Sequence, residues 1–204
     1  KPLIKINGLS IISHVFKKAQ EADIGEVIVA TEDKEIEEDV KQNGGQVILT
    51  KNHHKTGTDR IYEALQKIDN SNIDLVMNLQ GDEPLMDIDD IRNLNNKMIK
   101  NKSGLGTLAS VISAKKFYED PNVVKVLTKE SLDNINFPEA LNFMRKTQDK
   151  NQKIYHHLGI YCYHKEVLKT FVSHDQSSNE MKNKLEQLRA LDNNIEINVA
   201  RAKT

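Results

Sequence analysis

Short apolar runs alternate with amphipathic stretches through the first eighty residues. Within residues 10–22, Ile11, Ile12, Val15, Phe16 and Ala19 recur at helical spacing, and Ser10 suits the N-cap. Gly25 closes that unit. Val27, Ile28, Val29 and Ala30 then form a continuous apolar run, the pattern of a strand buried on both faces. Residues 33–43 read as a second helix, stopped by Gly44 and Gly45. Residues 47–49 read as the next strand, 58–68 as a third helix and 75–79 as a further strand. This alternation predicts an α/β fold with right-handed crossovers, a mainly parallel sheet and helices on both of its faces.

The second half is less regular. Residues 108–112, 123–127, 154–163 and 195–200 have strand character. Residues 182–191 read as one helix with Leu185, Leu188 and Leu191 along one side. The polar stretch 144–152 reads as a mobile loop. No internal repeat, Pro-rich linker or low-complexity tract interrupts the chain. A single domain over residues 1–204 is the expectation.

Composition narrows the function classes. Formal charge is -1 and no basic block stands out, which argues against nucleic acid as a partner. No run of about 18 apolar residues is present, so no membrane-spanning helix is expected. Cys162 is the only cysteine, which rules out an intrachain disulfide and fits a reducing cytoplasm. There is no Walker motif, no Gly-x-Gly-x-x-Gly, no zinc-spaced Cys/His set and no Ser elbow. P-loop ATPases, dehydrogenases and α/β-hydrolases are therefore disfavoured.

In open α/β sheets, ligands bind beyond the carboxyl ends of the strands. That directs attention to residues 31–33, 50–60 and 80–84. In the last of these, an apolar strand runs into Gln80-Gly81-Asp82-Glu83-Pro84. Gly81 permits close backbone approach or a positive φ, and Asp82 is placed to hold Mg²⁺ against phosphates. The same residues also suit a plain turn with a solvated Asp82. In the segment 53–60, Thr56, Gly57, Thr58 and Arg60 stand at an expected helix N-terminus, where backbone N–H groups favour an anion. A simple cap by Thr56 or Thr58, with Asp59 in the first turn, is the reading that the residues alone favour. His53 and His54 are adjacent, point apart and read as a solvated pair. On the strand near residue 160, His157, Gly159 and Tyr161 fall on one face and offer polar groups to a sugar, or simply pack. Glu186 and Gln187 bind hydroxyls or face solvent.

Four segments occur in one order: Thr56-Gly57-Thr58-Asp59-Arg60, Leu79-Gln80-Gly81-Asp82-Glu83-Pro84, His157-Leu158-Gly159-Ile160-Tyr161 and Leu185-Glu186-Gln187-Leu188-Arg189. Together they resemble the CMP-KDO synthetase (3-deoxy-manno-octulosonate cytidylyltransferase) family, and the resemblance spans essentially the whole chain. Lys1-Pro2-Leu3 resembles the end of that family's Pro-Gly-Lys-Pro-Leu loop, and Phe143-Met144-Arg145 its Phe-Ser-Arg segment. The resemblance implies a Rossmann-like, three-layer nucleotidyltransferase fold of the glycosyltransferase-A-like kind. It implies a mainly parallel central sheet and a smaller dimerisation and sugar-binding subregion.

The implied reaction is transfer of CMP from CTP to 3-deoxy-manno-octulosonate (KDO), the sugar activation of lipopolysaccharide biosynthesis, in a cytoplasmic homodimer. By the same resemblance, Lys1 contacts the CTP phosphates, and Thr56, Gly57, Thr58 and Arg60 line the nucleoside pocket. Gln80 touches both substrates, and Asp82 binds Mg²⁺. Arg145, His157, Tyr161, Glu186 and Gln187 line the sugar pocket, with Arg145 the partner of the sugar carboxylate. Asp82, Lys1 and Arg145 are the expected catalytic residues.

Departures from the family pattern matter. The family's Arg-Ser-Thr-Arg nucleotide loop would precede Lys1, and its second metal-binding Asp, in Val-Asp-Thr, would follow Thr204. The sequence is therefore expected to record part of a longer chain. The interval from Arg145 to Tyr155 is shorter than the family's. Glu32 stands where the family has Asp and is assigned no role. A sialic acid cytidylyltransferase and a non-catalytic nucleotide-sensing domain on the same fold remain the alternatives.

Overall fold

A computed structural model describes residues 1–133, 135–149 and 153–203. Residues 150–152 of the stretch expected to be a loop lie outside the described residues. Within the domain expected over residues 1–204, two compact units are distinguished. One comprises Lys1–Asp74 and Asn78–Arg92; the other comprises Leu75–Met77 and Asn93–Thr204.

The first unit opens with a hairpin of β1 (Lys5–Ile6) and β2 (Leu9–Ser10). Helix α1 (Ile11–Ala22) follows, its Ser10 hydroxyl accepting from the Ser13 N–H at 3.2 Å as an N-cap does. It ends at Asp23, in the left-handed region at φ 51°, before the expected Gly25 is reached. Strand β3 (Ile28–Thr31) leads into α2 (Lys34–Gln42), which Asp33 caps through the Glu35 N–H. Gly44 turns the chain at φ 82°, a conformation glycine adopts without strain. Strand β4 (Gln46–Leu49) then pairs with β3 in parallel. Helix α3 (Gly57–Gln66) starts one residue earlier than predicted, because Thr56 caps it. Ile12, Phe16, Val29 and Val40 form a buried cluster, with Val27, Ile36 and Val47 packed against it. The apolar face of α1 is thereby removed from water, the main source of stability here.

Strand β5 (Leu75–Asn78) and helix α4 (Ile88–Asn101) carry the chain from one unit to the other. In the second unit, β6 (Leu105–Ser110), β7 (Lys125–Thr128), β8 (Ala140–Met144), β9 (Ile154–His164) and β10 (Asn198–Arg201) form a sheet in the order β10-β6-β9-β7-β8, and β5 also pairs with β9. Strands β10 and β6 are parallel, whereas β9 runs antiparallel to β6 and to β7, and β7 antiparallel to β8. This sheet is mixed, where the sequence predicts a mainly parallel one. Antiparallel neighbours need no crossover helix, so β7, β8 and β9 follow one another without one.

The helix predicted over 182–191 is two helices, α6 (Ser178–Asn183) and α7 (Leu188–Asp192), preceded by α5 (Lys165–Ser173). Lys184 breaks it at φ 52°. The break lets Arg189 fold back on Glu180, with Nε and Nη2 at 2.9 and 2.8 Å from its two carboxylate oxygens. Both side chains are almost fully buried, and the guanidinium lies 4.6 Å from the Phe171 ring centroid. In one straight helix the nine-residue separation would hold them about 13 Å apart along the axis.

Candidate active site

In the first unit, the loop after β5 carries Gln80, Gly81, Asp82 and Glu83. Gly81 lies close to Ile12: a Cβ on it would stand 2.6 Å from Ile12 Cδ1, the outer end of that side chain, which would have to shift. Gln80 is exposed, and its carbonyl accepts from the Glu83 N–H at 3.3 Å, which closes a tight turn. Asp82 Oδ2 accepts from Lys1 Nζ at 2.7 Å, so the turn presents a salt-bridged carboxylate at the surface. That hydrogen bond holds the Lys1 ammonium above its ordinary pKa. Burial, and then the neighbouring Asp82 charge, raise the Glu83 carboxyl.

Below the turn, Asn78 Nδ2 donates to Thr58 Oγ1 at 3.4 Å and ties the loop's root to the start of α3. There Thr56 Oγ1 accepts from the Asp59 N–H at 3.3 Å and donates to Asp59 Oδ2 at 2.7 Å. Thr58 is buried, and apart from the chain neighbours of Gly57 and the backbone of α3 itself, no described atom lies within 4 Å of where a Cβ on Gly57 would stand. Arg60 donates through Nη1 to Thr50 Oγ1 at 2.7 Å and through Nη2 to Glu32 Oε2 at 2.6 Å. Glu32, given no role from the sequence, therefore orients Arg60. Its place just beyond the carboxyl end of β3 was the available signal. His53 is exposed as expected, but His54 is not a solvated partner to it. His54 hydrogen-bonds to Glu63, whose carboxyl is lowered to about 2, first by Lys67 and then, against the cost of burial, by His54.

In the second unit, the predicted sugar residues come from three places. Arg145 follows β8 and clasps the α6–α7 turn, with Nε donating to Asn183 O at 2.7 Å and Nη2 to Lys184 O at 2.8 Å. Nη1 donates to Pro121 O at 3.0 Å. Three of the five guanidinium N–H groups thus serve backbone carbonyls. The turn Arg145 clasps carries Glu186, half-buried, and Gln187, buried. Lys125, fully buried, donates to the carbonyls of Asp120, Val123 and Arg145, and burial lowers its pKa.

His157 and Tyr161 lie on β9 where its register against β6 shifts: Thr107 faces Tyr161, but Leu108 faces Leu158. One step on β6 corresponds to three on β9, so β9 bulges. A regular strand would place His157 and Tyr161 about 13 Å apart. The bulge brings their ring centroids to 5.5 Å, and the Phe143 ring on β8 stands T-shaped to His157 with centroids 5.0 Å apart. Burial lowers the His157 pKa to about 3, so the imidazole is neutral.

Among the described residues, no group of three or more His, Cys, Asp or Glu could hold a metal ion. A single carboxylate such as Asp82 still fits Mg²⁺, a hard cation that takes one or two protein carboxylates and keeps several waters.

The cytidylyltransferase family model matches residues 1–197. The 3-deoxy-manno-octulosonate cytidylyltransferase of Bartonella tribocorum is 40% identical over 202 residues, 98% of this chain and 82% of that protein. The solved structure of a CMP:2-keto-3-deoxy-manno-octonic acid synthetase complexed with CTP aligns with a TM-score of 0.87 at 34% identity, over 99% of this chain and 83% of that one. An apo UDP-glucose pyrophosphorylase aligns with a TM-score of 0.69 at 11% identity, over 98% of this chain and 82% of that one, a likeness of fold alone. The chain belongs to the 3-deoxy-manno-octulosonate cytidylyltransferase family.

Proposed function

We infer that the chain transfers CMP from CTP to KDO, releasing pyrophosphate, as the sugar-activating step of lipopolysaccharide biosynthesis. The carrying observation is the family membership together with the Lys1–Asp82 ion pair at the loop after β5. In this reading the anomeric hydroxyl of KDO attacks the α-phosphorus of CTP. A new O–P bond forms, the anhydride bond to the β-phosphate breaks, and the hydroxyl proton is lost. Little covalent chemistry falls to the protein; positioning and charge do most of it.

Lys1, held charged by Asp82, sits against the phosphates and neutralises the leaving pyrophosphate. Thr56, Gly57, Thr58 and Arg60 form the nucleoside pocket at the start of α3, and Gln80 meets both substrates. Asp82 would hold Mg²⁺, which when bound supplies charge neutralisation along the phosphates. In the second unit, Arg145 is the cation offered to the carboxylate of the acidic sugar, with Lys146 near it and Asp120 as the opposing charge beside the buried Lys125. His157, Tyr161, Glu186 and Gln187 supply hydroxyl contacts there. The second unit is thus the sugar-binding subregion of a glycosyltransferase-A-like fold, and the exposed Leu141 on edge strand β8 is one place for homodimer contact. A cytoplasmic location is part of this family-based reading; separately, no helix of the described residues is long and apolar enough to cross a membrane.

Asp82→Asn in the full-length protein tests the metal and phosphate assignment. It is expected to lower kcat by about a hundredfold or more, as loss of a transition-state electrostatic partner does. Melting temperature is expected to stay within a few degrees. Near-normal turnover would remove Asp82 from the mechanism.

A further inference from the structure

The bulge in β9 has a polar lock at its centre. Thr107, on β6 and completely buried, points its hydroxyl into the gap that the extra residues of β9 open. Thr107 Oγ1 lies 2.7 Å from Ile160 O, 3.3 Å from Leu158 O and 2.9 Å from His157 Nε2. The two carbonyls accept hydrogen bonds and donate none. Thr107 has one hydroxyl proton, and its shortest contact is to Ile160 O. That proton goes to a carbonyl. Toward His157 the hydroxyl oxygen therefore accepts, and the proton between them sits on Nε2. A proton on Nε2 of a neutral imidazole leaves Nδ1 with a lone pair. No described residue hydrogen-bonds to Nδ1.

We propose that Thr107 is a positioning residue for substrate recognition: its hydroxyl fixes the His157 ring as the Nε2–H tautomer, so that Nδ1 accepts a hydrogen bond from a sugar hydroxyl. This rests on the reading of His157 as a sugar-pocket residue. The rings of Phe143 and Tyr161 pack against the His157 ring, so the hydroxyl alone sets which nitrogen carries the proton. Only a hydroxyl does this. Valine at the same position matches threonine in shape but would strand both Ile160 O and the Nε2 proton. The ring would then have no reason to keep one tautomer. Serine would keep the lock.

The test uses Thr107→Val and Thr107→Ser in the full-length protein. Imidazole ¹⁵N spectra give the tautomer of His157, its signals assigned by their loss in His157→Phe. Steady-state kinetics give KM for KDO and for CTP separately. The unchanged protein and Thr107→Ser are expected to show the Nε2–H tautomer. Thr107→Val is expected to show a mixture or the Nδ1–H form, with KM for KDO raised about tenfold and KM for CTP changed less than twofold, the scale of one lost hydrogen bond. An Nδ1–H tautomer in the unchanged protein would overturn the proposal. So would a Thr107→Val protein that folds and keeps both tautomer and KM for KDO. A merely structural role would shift the two KM values together and would equally overturn it. Failure of the KDO reading looks different: the unchanged protein would show no turnover of KDO while its ¹⁵N spectrum still gave the Nε2–H form.

Discussion

His157 and Arg60 show how one side chain is given its chemistry by neighbours that sequence spacing does not reveal. Burial keeps His157 neutral, with its pKa down near 3 against about 6.5 in an unfolded chain. The unfolded state then binds a proton below pH 6.5 that the folded state refuses. Stability from this residue is complete above pH 6.5 and is lost as pH falls toward 3, by at most about 1.4 kcal/mol per pH unit. Melting curves between pH 7 and pH 5 should show the loss, and His157→Phe should flatten it. An equally steep profile in that variant would assign the pH dependence to other groups. Arg60 is oriented by Glu32 and Thr50, which belong to other loops of the same unit. Glu32→Gln is expected to raise KM for CTP several-fold with little change in KM for KDO, because one charge-assisted hydrogen bond becomes a neutral one. Equal KM values for CTP in the two proteins would remove Glu32 from the nucleotide pocket.

Elements were legible where the local pattern alone decides them. The spacing of Ile11, Ile12, Val15, Phe16 and Ala19 gave α1 and its Ser10 cap, and the strand–helix alternation gave β3, α2, β4 and α3 to within two residues. The second half was read less well because distant contacts decide it. Nothing local in residues 182–191 announces the left-handed turn at Lys184; it is selected by the buried Glu180–Arg189 pair. Glu180→Gln should therefore cost about 3 kcal/mol or more, since it leaves the Arg189 charge buried with half its partner gone. Denaturant unfolding of that variant measures it, and a loss under 1 kcal/mol would mean the turn has another cause. The β9 bulge was equally invisible, because periodicity alone put His157 and Tyr161 on one face but two strand repeats apart. The Lys1–Asp82 contact, between residues 81 positions apart, was not foreseen: the family resemblance gives Lys1 to the CTP phosphates and Asp82 to Mg²⁺, and neither it nor spacing pairs them.

At the scale of the whole molecule, the chain divides its chemistry by unit. The first holds the phosphate and nucleoside candidates, Lys1, Thr56, Gly57, Thr58, Arg60, Gln80 and Asp82; the second holds Arg145, His157, Tyr161, Glu186 and Gln187. Cys162 takes no part: it is buried, and burial pushes its thiol up to about 12. With formal charge near zero, anion binding rests on these local cations and not on a global field. The central claim is the identity of the acceptor sugar. Its most direct test is pyrophosphate release by the full-length protein with CTP and Mg²⁺, given KDO in one assay and a sialic acid in the other. The account predicts release with KDO and none with the sialic acid. Release with the sialic acid alone, or CTP binding without release in either assay, would contradict it.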